Sequence, residues 1–246
     1  MRPDEIKRMY QFEDWYWWFV ARRHLVGLVL RRFVPGERGL VVDVGCGTGG
    51  VLPLLQTRGQ VLALDRAPES LAFCRSRQPG QWLVQADANH LPLPEGSVEL
   101  LTALDLLEHL DDDAGALAGF ARVLRPGGCL LVTVPAYQSL WSEHDAALDH
   151  RRRYHRRQLV AMLRAAGLEP VLCSYTIAAL LAPIYLARLL LRALGKENLR
   201  QPKTALHVLP GPLNRLFTWS VMLESWLLVR CPLPFGVSLV CLARKR

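Results

Sequence analysis

The sequence predicts an α/β fold, a doubly wound and mostly parallel sheet, on three observations. Short apolar runs rich in β-branched residues alternate with segments of helix length through the first half of the chain. Those runs are apolar on both alternating sets of positions, as strands buried on both faces require. A glycine-rich turn at residues 45–50 directly follows the first run.

The elements follow in order. Residues 10–33 read as one helix with an aromatic start at Tyr10, Phe12, Trp15, Tyr16, Trp17, Trp18 and Phe19, stopped by Pro35 and Gly36. Leu40–Val44, Val61–Leu64, Trp82–Gln85, Val98–Leu104 and Cys129–Val134 read as five strands. Pro135–His150 is a polar loop or short helix, and Arg156–Ala166 is a helix ended by Gly167. Leu168–Tyr175 reads as a sixth strand. Thr176–Leu194 is apolar with helical patterning, interrupted by Pro183 and Arg188. A proline- and glycine-rich stretch, Gln201–Leu213, leads to a second apolar helix, Leu216–Val229, broken by Glu224. Val237–Ala243 reads as the last strand.

At 246 residues, with 51% hydrophobic and 21% charged residues, the chain has the material for a sizeable core, and disorder is excluded as its class. Six cysteines are scattered without a C-x-x-C pair, which speaks against a zinc ribbon or a disulfide framework and suits a reducing compartment. No metal-ligand set is assigned. The polar N-terminus lacks a signal-peptide pattern, so a cytoplasmic location is expected. The net charge of +8 is compatible with a basic soluble surface, with nucleic acid or with an anionic membrane surface. Basic residues gather at Arg151, Arg152, Arg153, Arg156 and Arg157, around the apolar stretch at Arg188, Arg192, Lys196, Arg200 and Lys203, and at Arg244–Arg246.

The chemistry is carried by Val41-Val42-Asp43-Val44-Gly45-Cys46-Gly47-Thr48-Gly49-Gly50. A buried strand runs into a turn whose glycines let a ligand approach the main chain, and a helix N-terminus after it offers N–H groups to an anion. Gly45, Gly47 and Gly50 alone also satisfy the dinucleotide pattern G-x-G-x-x-G. The acids separate the two readings. Asp43 suits a ligand bearing an amino cation and repels a pyrophosphate. Asp65 ends the second strand, where it can accept from both ribose hydroxyls, and Asp87 follows the third, where it can accept from an adenine amine.

Asp43-x-Gly45-x-Gly47-x-Gly49 resembles motif I of class I S-adenosylmethionine-dependent methyltransferases. Asp65 is similar to their ribose-binding acid, and Asp87-Ala88 to their adenine-binding pair. Leu91-Pro92-Leu93-Pro94 with Ser97-Val98-Glu99, Leu107-Glu108-His109-Leu110 and Leu124-Arg125-Pro126-Gly127-Gly128 resemble further motifs, Glu99 standing where the family has Asp. The resemblance is tight over residues 39–136. Trp17-Trp18-Phe19-x-Ala21-Arg22-Arg23, His144-Asp145, His150-x-Arg152-Arg153-Tyr154 and Pro234-Phe235-Gly236 resemble a narrower bacterial subgroup.

The resemblance implies a Rossmann-like, seven-stranded sheet whose last strand is antiparallel, S-adenosyl-L-methionine as cofactor and S-adenosyl-L-homocysteine as product. The expected organisation is a single domain over 1–246. Its parts are an N-terminal helical lid at 1–38, a cofactor-binding core at 39–136, and an acceptor-side half at 137–246 with an apolar helical insertion at about 176–230. Cys46, Arg66 and Leu104 are assigned to the same cofactor site. Trp15, Trp18 and Arg22 share one helical face that reads as a lid over the cofactor, as core packing, or as an interfacial aromatic anchor.

A hydroxyl acceptor needs a base, and the candidates are His109, His144, Asp145 and His150. Arg152 and Arg153 are read either as holding an acceptor phosphate or carboxylate, or as a solvated face. The acceptor is expected to be a small molecule, a glycan or a lipid-linked compound, methylated at oxygen. Neither apolar C-terminal helix reads as a membrane span. They are expected to form a cap, a dimer interface or a contact with the inner face of an anionic membrane. Competing functions are an RNA methyltransferase, disfavoured because no N-P-P-Y-like motif follows strand four, a nicotinamide-dependent oxidoreductase, disfavoured by Asp43 and Asp87, and a non-catalytic cofactor-binding protein. No nucleic-acid partner is expected.

Overall fold

The structure, a computed structural model, describes residues 3–34, 36, 39–194, 204 and 208–246. Helices α1 (Pro3–Phe12) and α2 (Trp17–Phe33) precede β1 (Gly39–Val44), α3 (Leu52–Leu55), β2 (Gly59–Asp65), α4 (Pro68–Arg77) and β3 (Trp82–Gln85). Then come β4 (Val98–Leu104), α5 (Asp113–Val123), β5 (Leu124–Pro135), α6 (Glu143–Ala147), α7 (Arg156–Ala165), β6 (Leu168–Thr176), α8 (Leu181–Ala193), α9 (Gly211–Leu228) and β7 (Ser238–Lys245). The strands form one sheet in the order β3-β2-β1-β4-β5-β7-β6. Pairings among β3, β2, β1, β4 and β5 are parallel, and β7 runs antiparallel between β5 and β6. This is the expected sheet.

Alternation along the strands sends side chains into two cores. Val42 and Val44 of β1 join Leu117 and Phe120 of α5 and Leu159 and Leu163 of α7. Val41, by contrast, packs with Leu25, Val26 and Leu30 of α2, Leu52 and Leu55 of α3 and Leu228 of α9. Helices on both faces leave the carboxyl ends of β1 and β4 as the switch point at which the chain turns to opposite sides, the usual ligand crevice of such sheets.

Three expectations are corrected. The single helix over 10–33 is two helices, broken at residues 13–16. The break places Trp15 in a turn, 42% exposed, with its indole N–H on the Gln11 carbonyl at 2.9 Å, so it leaves the face of Trp18 and Arg22. The helix expected after the glycine turn is only the four residues of α3, because β2 starts again at Gly59. The apolar stretch 176–194 is split: Thr176 ends β6, and α8 begins at Leu181. Residues 201–203 and 205–207 of the stretch Gln201–Leu213, together with Pro35, Lys196 and Arg200, lie outside the described residues. Among the described residues, no helix is long and apolar enough to cross a membrane.

Local chemistry sets the remaining boundaries. Asp112 caps α5 by accepting from the Gly115 N–H at 2.8 Å. Ser142 and Asp145 form a capping box at α6, the Ser142 N–H donating to Asp145 Oδ2 at 2.9 Å. Glu99 ion-pairs with Arg125, tying the start of β4 to that of β5.

Candidate functional site

The glycine turn is strapped to β2: the Gly45 and Cys46 N–H groups both donate to the Leu64 carbonyl, at 2.8 and 3.0 Å. Gly45 and Gly47 have φ of +72° and +54°, a region that L side chains rarely adopt. A Cβ on Gly45 would meet Leu106 at 2.8 Å, and one on Gly47 would meet Met9 of α1 at 2.7 Å. The turn is therefore walled by the loop after β4 and covered by the N-terminal helix. Glu13, 3% exposed, reaches the same turn and takes the Thr48 hydroxyl.

The acids stand where the strands end. Asp43 is buried beside its register partner Thr102 on β4, whose hydroxyl donates to Asp43 Oδ1 at 2.5 Å. Burial raises its carboxyl to about 7, against the Thr102 hydrogen bond and the charge of Arg22, which pull it down. Asp65 accepts from Gly47 N–H at 2.9 Å with one oxygen and from Ala67 N–H at 2.8 Å with the other. Each oxygen keeps a second lone pair, so the two ribose hydroxyls can still be accepted. Burial raises Asp65 as well, those two backbone hydrogen bonds acting against it. Asp87 is exposed at the rim, where it caps the turn at Asn89, and Ala88 is buried beside it. Arg66 is exposed, and its carbonyl takes Gln85. Cys46 is buried in the turn. Leu104 packs into the core that includes Leu25 of α2; it is Leu106 that lies against the turn.

A second group of residues lies beyond β4 and β5. Asp105 follows β4 with φ of +54°, its N–H on the Thr133 carbonyl at 2.9 Å. Its carboxylate pairs with Arg22 at 2.6 Å, and the Arg22 guanidinium lies over Trp18 at 4.5 Å. Trp17, Trp18, Arg22, Asp105, Thr133 and Thr176 line a narrow cleft that Ile177 and Val221 close. Three buried polar atoms of this cleft have no hydrogen-bond partner among the described residues: Arg22 Nε, Thr133 Oγ1 and Thr176 Oγ1. Sequence reasoning missed Asp105, Thr133 and Thr176. The one signal for Asp105 is its place directly after a strand, since aspartate tolerates the left-handed region better than most residues.

The base candidates are brought together. His109 and His150 meet edge to face at 4.8 Å, and His144 lies 6.4 Å from His150. Asp145 is fully buried. Its carboxylate accepts from Arg153 at 2.8 and 3.0 Å, from Ser142 N–H at 2.9 Å, and pairs with His150 Nδ1 at 3.0 Å. These bonds outweigh its burial and hold it well below the usual carboxylate range. That makes Asp145 an anchor for His150. Burial pushes His109 to about 3 and His144 to about 4, so both rings are neutral near pH 7. Arg153 is 5% exposed and committed to Asp145 and the Ala136 carbonyl, while Arg152 pairs with Asp113 at 3.2 Å. Arg153 is therefore neither a solvated face nor an open anion clamp, while Arg152 is half-buried and held by Asp113. Glu108 adds a fully buried carboxyl with both oxygens unpartnered among the described residues, and burial pushes it well above the carboxylate range.

Residues 42–132 match the methyltransferase-domain family. A protein of Mycobacterium tuberculosis, whose name places it among S-adenosylmethionine-dependent methyltransferases, is 34% identical over 159 residues, 63% of this chain and 57% of that protein. A malonyl-[acyl-carrier protein] O-methyltransferase of Enterobacter lignolyticus is 28% identical over 227 residues, 89% of this chain and 87% of that protein. The chain thus spans less than two thirds of the length of the mycobacterial relative. A structure of an S-adenosylmethionine-dependent methyltransferase from Thermotoga maritima superposes with a TM-score of 0.61 at 16% identity, covering 99% of this chain and 96% of that one, a likeness of fold.

Proposed function

We propose that this chain, whose residues 42–132 match the methyltransferase-domain family, is a class I S-adenosylmethionine-dependent methyltransferase that transfers a methyl group to an oxygen of a small-molecule or lipid-linked acceptor. The observation that carries the acceptor reading is the cleft beside the glycine turn. Its walls are apolar and aromatic, yet Arg22 Nε, Thr133 Oγ1 and Thr176 Oγ1 are buried there without partners among the described residues. Buried polar atoms left unpaired cost about 1–3 kcal/mol each, so they mark where a ligand's polar group fits. The relative named as an O-methyltransferase of a malonyl group favours oxygen as the atom.

The cofactor supplies a sulfonium-bound methyl that is already activated. The residues present fit it: glycines at 45 and 47 leave main chain open to close approach, Asp65 keeps lone pairs for a ribose, and Asp43 sits beneath the turn for an amino cation. Asp87, Ala88, Arg66 and Cys46 complete the rim. The work left to the chain is orientation and exclusion of water, which can supply about 7–11 kcal/mol when alignment is good. Trp17, Trp18 and Ile177 shut out water, and the Arg22–Asp105 pair sets the polar end of the cleft. Deprotonation of a hydroxyl falls to His150, with Asp145 fixing its ring and His109 and His144 packed against it.

On this reading residues 1–38 are a lid. Met9 lies over Gly47, and Glu13 holds Thr48. A second reading concerns location: helix α8 has no buried side chain, and α9 exposes Leu216, Trp219 and Leu223. We read these faces as resting on an anionic membrane surface, with Arg215 and Arg230 at their edge.

The test is calorimetric titration with S-adenosylhomocysteine, followed by labelled methyl transfer into small-molecule and lipid extracts. Binding that Asp65→Ala weakens at least about tenfold, and a labelled product that Thr133→Val with Thr176→Val diminishes, are the expected outcomes. A folded protein that binds no S-adenosylhomocysteine overturns the reading.

A further inference from the structure

We infer that Glu108, His109 and His150 form a binding site for a divalent transition-metal ion beside the acceptor cleft. One ligand atom from each, two imidazole nitrogens and a carboxylate oxygen, lies within 4.8 Å of the others. Three such atoms around one ion at its usual distance are about 3–3.5 Å apart, so small side-chain rotations close the set. The donors come from two places that the fold brings together. Glu108 and His109 stand in the turn Leu107–His109 after β4, and His150 follows α6. The Glu108 carbonyl accepts from the Arg151 N–H at 2.7 Å, which pins the two segments together.

The observation that points to a ligand is Glu108 itself. Its side chain is fully buried, and among the described residues neither carboxylate oxygen has a hydrogen-bond partner. A buried carboxyl facing two imidazoles at more than hydrogen-bond distance is costly unless something sits between them. A cation accepts all three donors at once.

Both rings are already oriented for ligation. His150 presents Nδ1 to Asp145 at 3.0 Å, which leaves Nε2 for the ion, and Asp145 is fixed in turn by Arg153. The His109 ring donates to the Asp149 main chain, which leaves its other nitrogen free to ligate. A carboxylate or carbonyl behind each imidazole is the arrangement that fixes tautomer and raises ligand basicity in metal sites. Two imidazoles and one carboxylate select a zinc-, cobalt- or manganese-like ion over calcium or magnesium, which prefer all-oxygen shells. The set uses three positions and leaves others open to water or to an acceptor oxygen. A hydroxyl bound there would be acidified by the ion and would give its proton to a solvent water as its oxygen takes the methyl group. That last role rests on the methyl-transfer reading; the binding of the ion does not.

The experiment is titration of the metal-stripped full chain with Co(II) and with Zn(II), without cofactor or acceptor. It is read by visible absorption, calorimetric stoichiometry and thermal midpoint. One ion per chain, a cobalt band that zinc displaces, and a raised midpoint are expected. Glu108→Gln and His150→Ala, each checked for folding by circular dichroism, should weaken binding by at least about tenfold. His24→Ala, at a histidine in α2 outside the cluster, should leave it unchanged. No stoichiometric uptake by the folded chain overturns the site, as does uptake that neither Glu108→Gln nor His150→Ala alters. S-adenosylhomocysteine titrated into the same samples separates failure of this site from failure of the methyltransferase reading.

Discussion

Asp43 faces a single hydroxyl from Thr102 across the switch point, and burial holds its carboxyl at about 7. A cationic amino group arriving above it stabilises the charged form and lowers that pKa, so the cofactor binds the deprotonated protein better. Affinity for S-adenosylhomocysteine then rises with pH and levels off above about 7. Between about pH 5.5 and pH 7 the gain should be roughly tenfold, measured by calorimetry, and Asp43→Asn should flatten the profile. The same raised pKa means that burying Asp43 costs stability progressively as pH rises from the unfolded carboxyl value through about 7. Asp145 has the opposite sign: its contribution is complete above the ordinary carboxylate range and is lost only as pH falls through its depressed value. Asp43, Asp65 and Asp87 were legible because each sits at a strand end at a fixed offset from the glycine turn. Asp105 and Glu13 were not, since their partners Arg22 and Thr48 lie 83 and 35 residues away.

Among elements, the N-terminal pair departs most from its sequence pattern. Nothing in the run Phe12–Trp18 breaks a helix by composition; the chain breaks there because Glu13 is drawn to Thr48 and the Trp17 N–H to Asn214 at 2.9 Å. Tertiary partners overrode a weak local preference. Arg77 of α4 ties α1 and the turn after it to the sheet: it ion-pairs with Asp14, lies 3.7 Å from Glu13, donates to the Tyr10 carbonyl at 3.2 Å and stacks over the Tyr10 ring. Arg77→Ala removes charged contacts on the order of 1.5 kcal/mol, a roughly tenfold easier opening of α1. Stopped-flow tryptophan fluorescence should show faster association and release of S-adenosylhomocysteine, and unchanged rates would remove the lid. Glu224, which reads in the sequence as a break in an apolar helix, accepts from the N–H groups of Ile177, Ala178 and Ala179 at 2.5, 2.7 and 3.3 Å. It holds Ile177 at φ of +61°, an uncommon conformation for a β-branched residue, against the wall of the acceptor cleft.

For the whole molecule, the doubly wound sheet was legible because its strands are short apolar runs at βαβ spacing. The antiparallel direction of the last strand came only with the family resemblance, and the position of β7 between β5 and β6 was not legible at all, since apolar alternation says nothing about strand order. The second half of the chain was the least legible, and the cleft it shares with the first draws on Trp17, Asp105, Thr133, Thr176 and Val221 from five separate elements or their ends. Its outer surface carries the largest apolar exposure, with Leu186 at 65%, Trp219 at 69% and Leu223 at 65%. Vesicles containing phosphatidylglycerol should co-sediment the protein at low salt, and pure phosphatidylcholine should do so less. Trp219→Ser with Leu223→Ser should lower partitioning roughly tenfold or more. No sedimentation with anionic vesicles at low salt ends the membrane reading.

The interleaved position of β7 also dictates an order of events. Strands β3, β2, β1, β4 and β5 can join through neighbouring crossovers as each βαβ unit collapses. β6 has no sheet partner until β7, which pairs with it across the whole 176–238 connection, wedges in beside β5. Closing that long loop is slow, and meanwhile the outer edge of β5 offers unpaired N–H and C=O groups to any strand that reaches it first. The glycine-turn half can thus assemble ahead of the acceptor half, and the interval between them is when a second copy of the chain competes with β7 for the same edge.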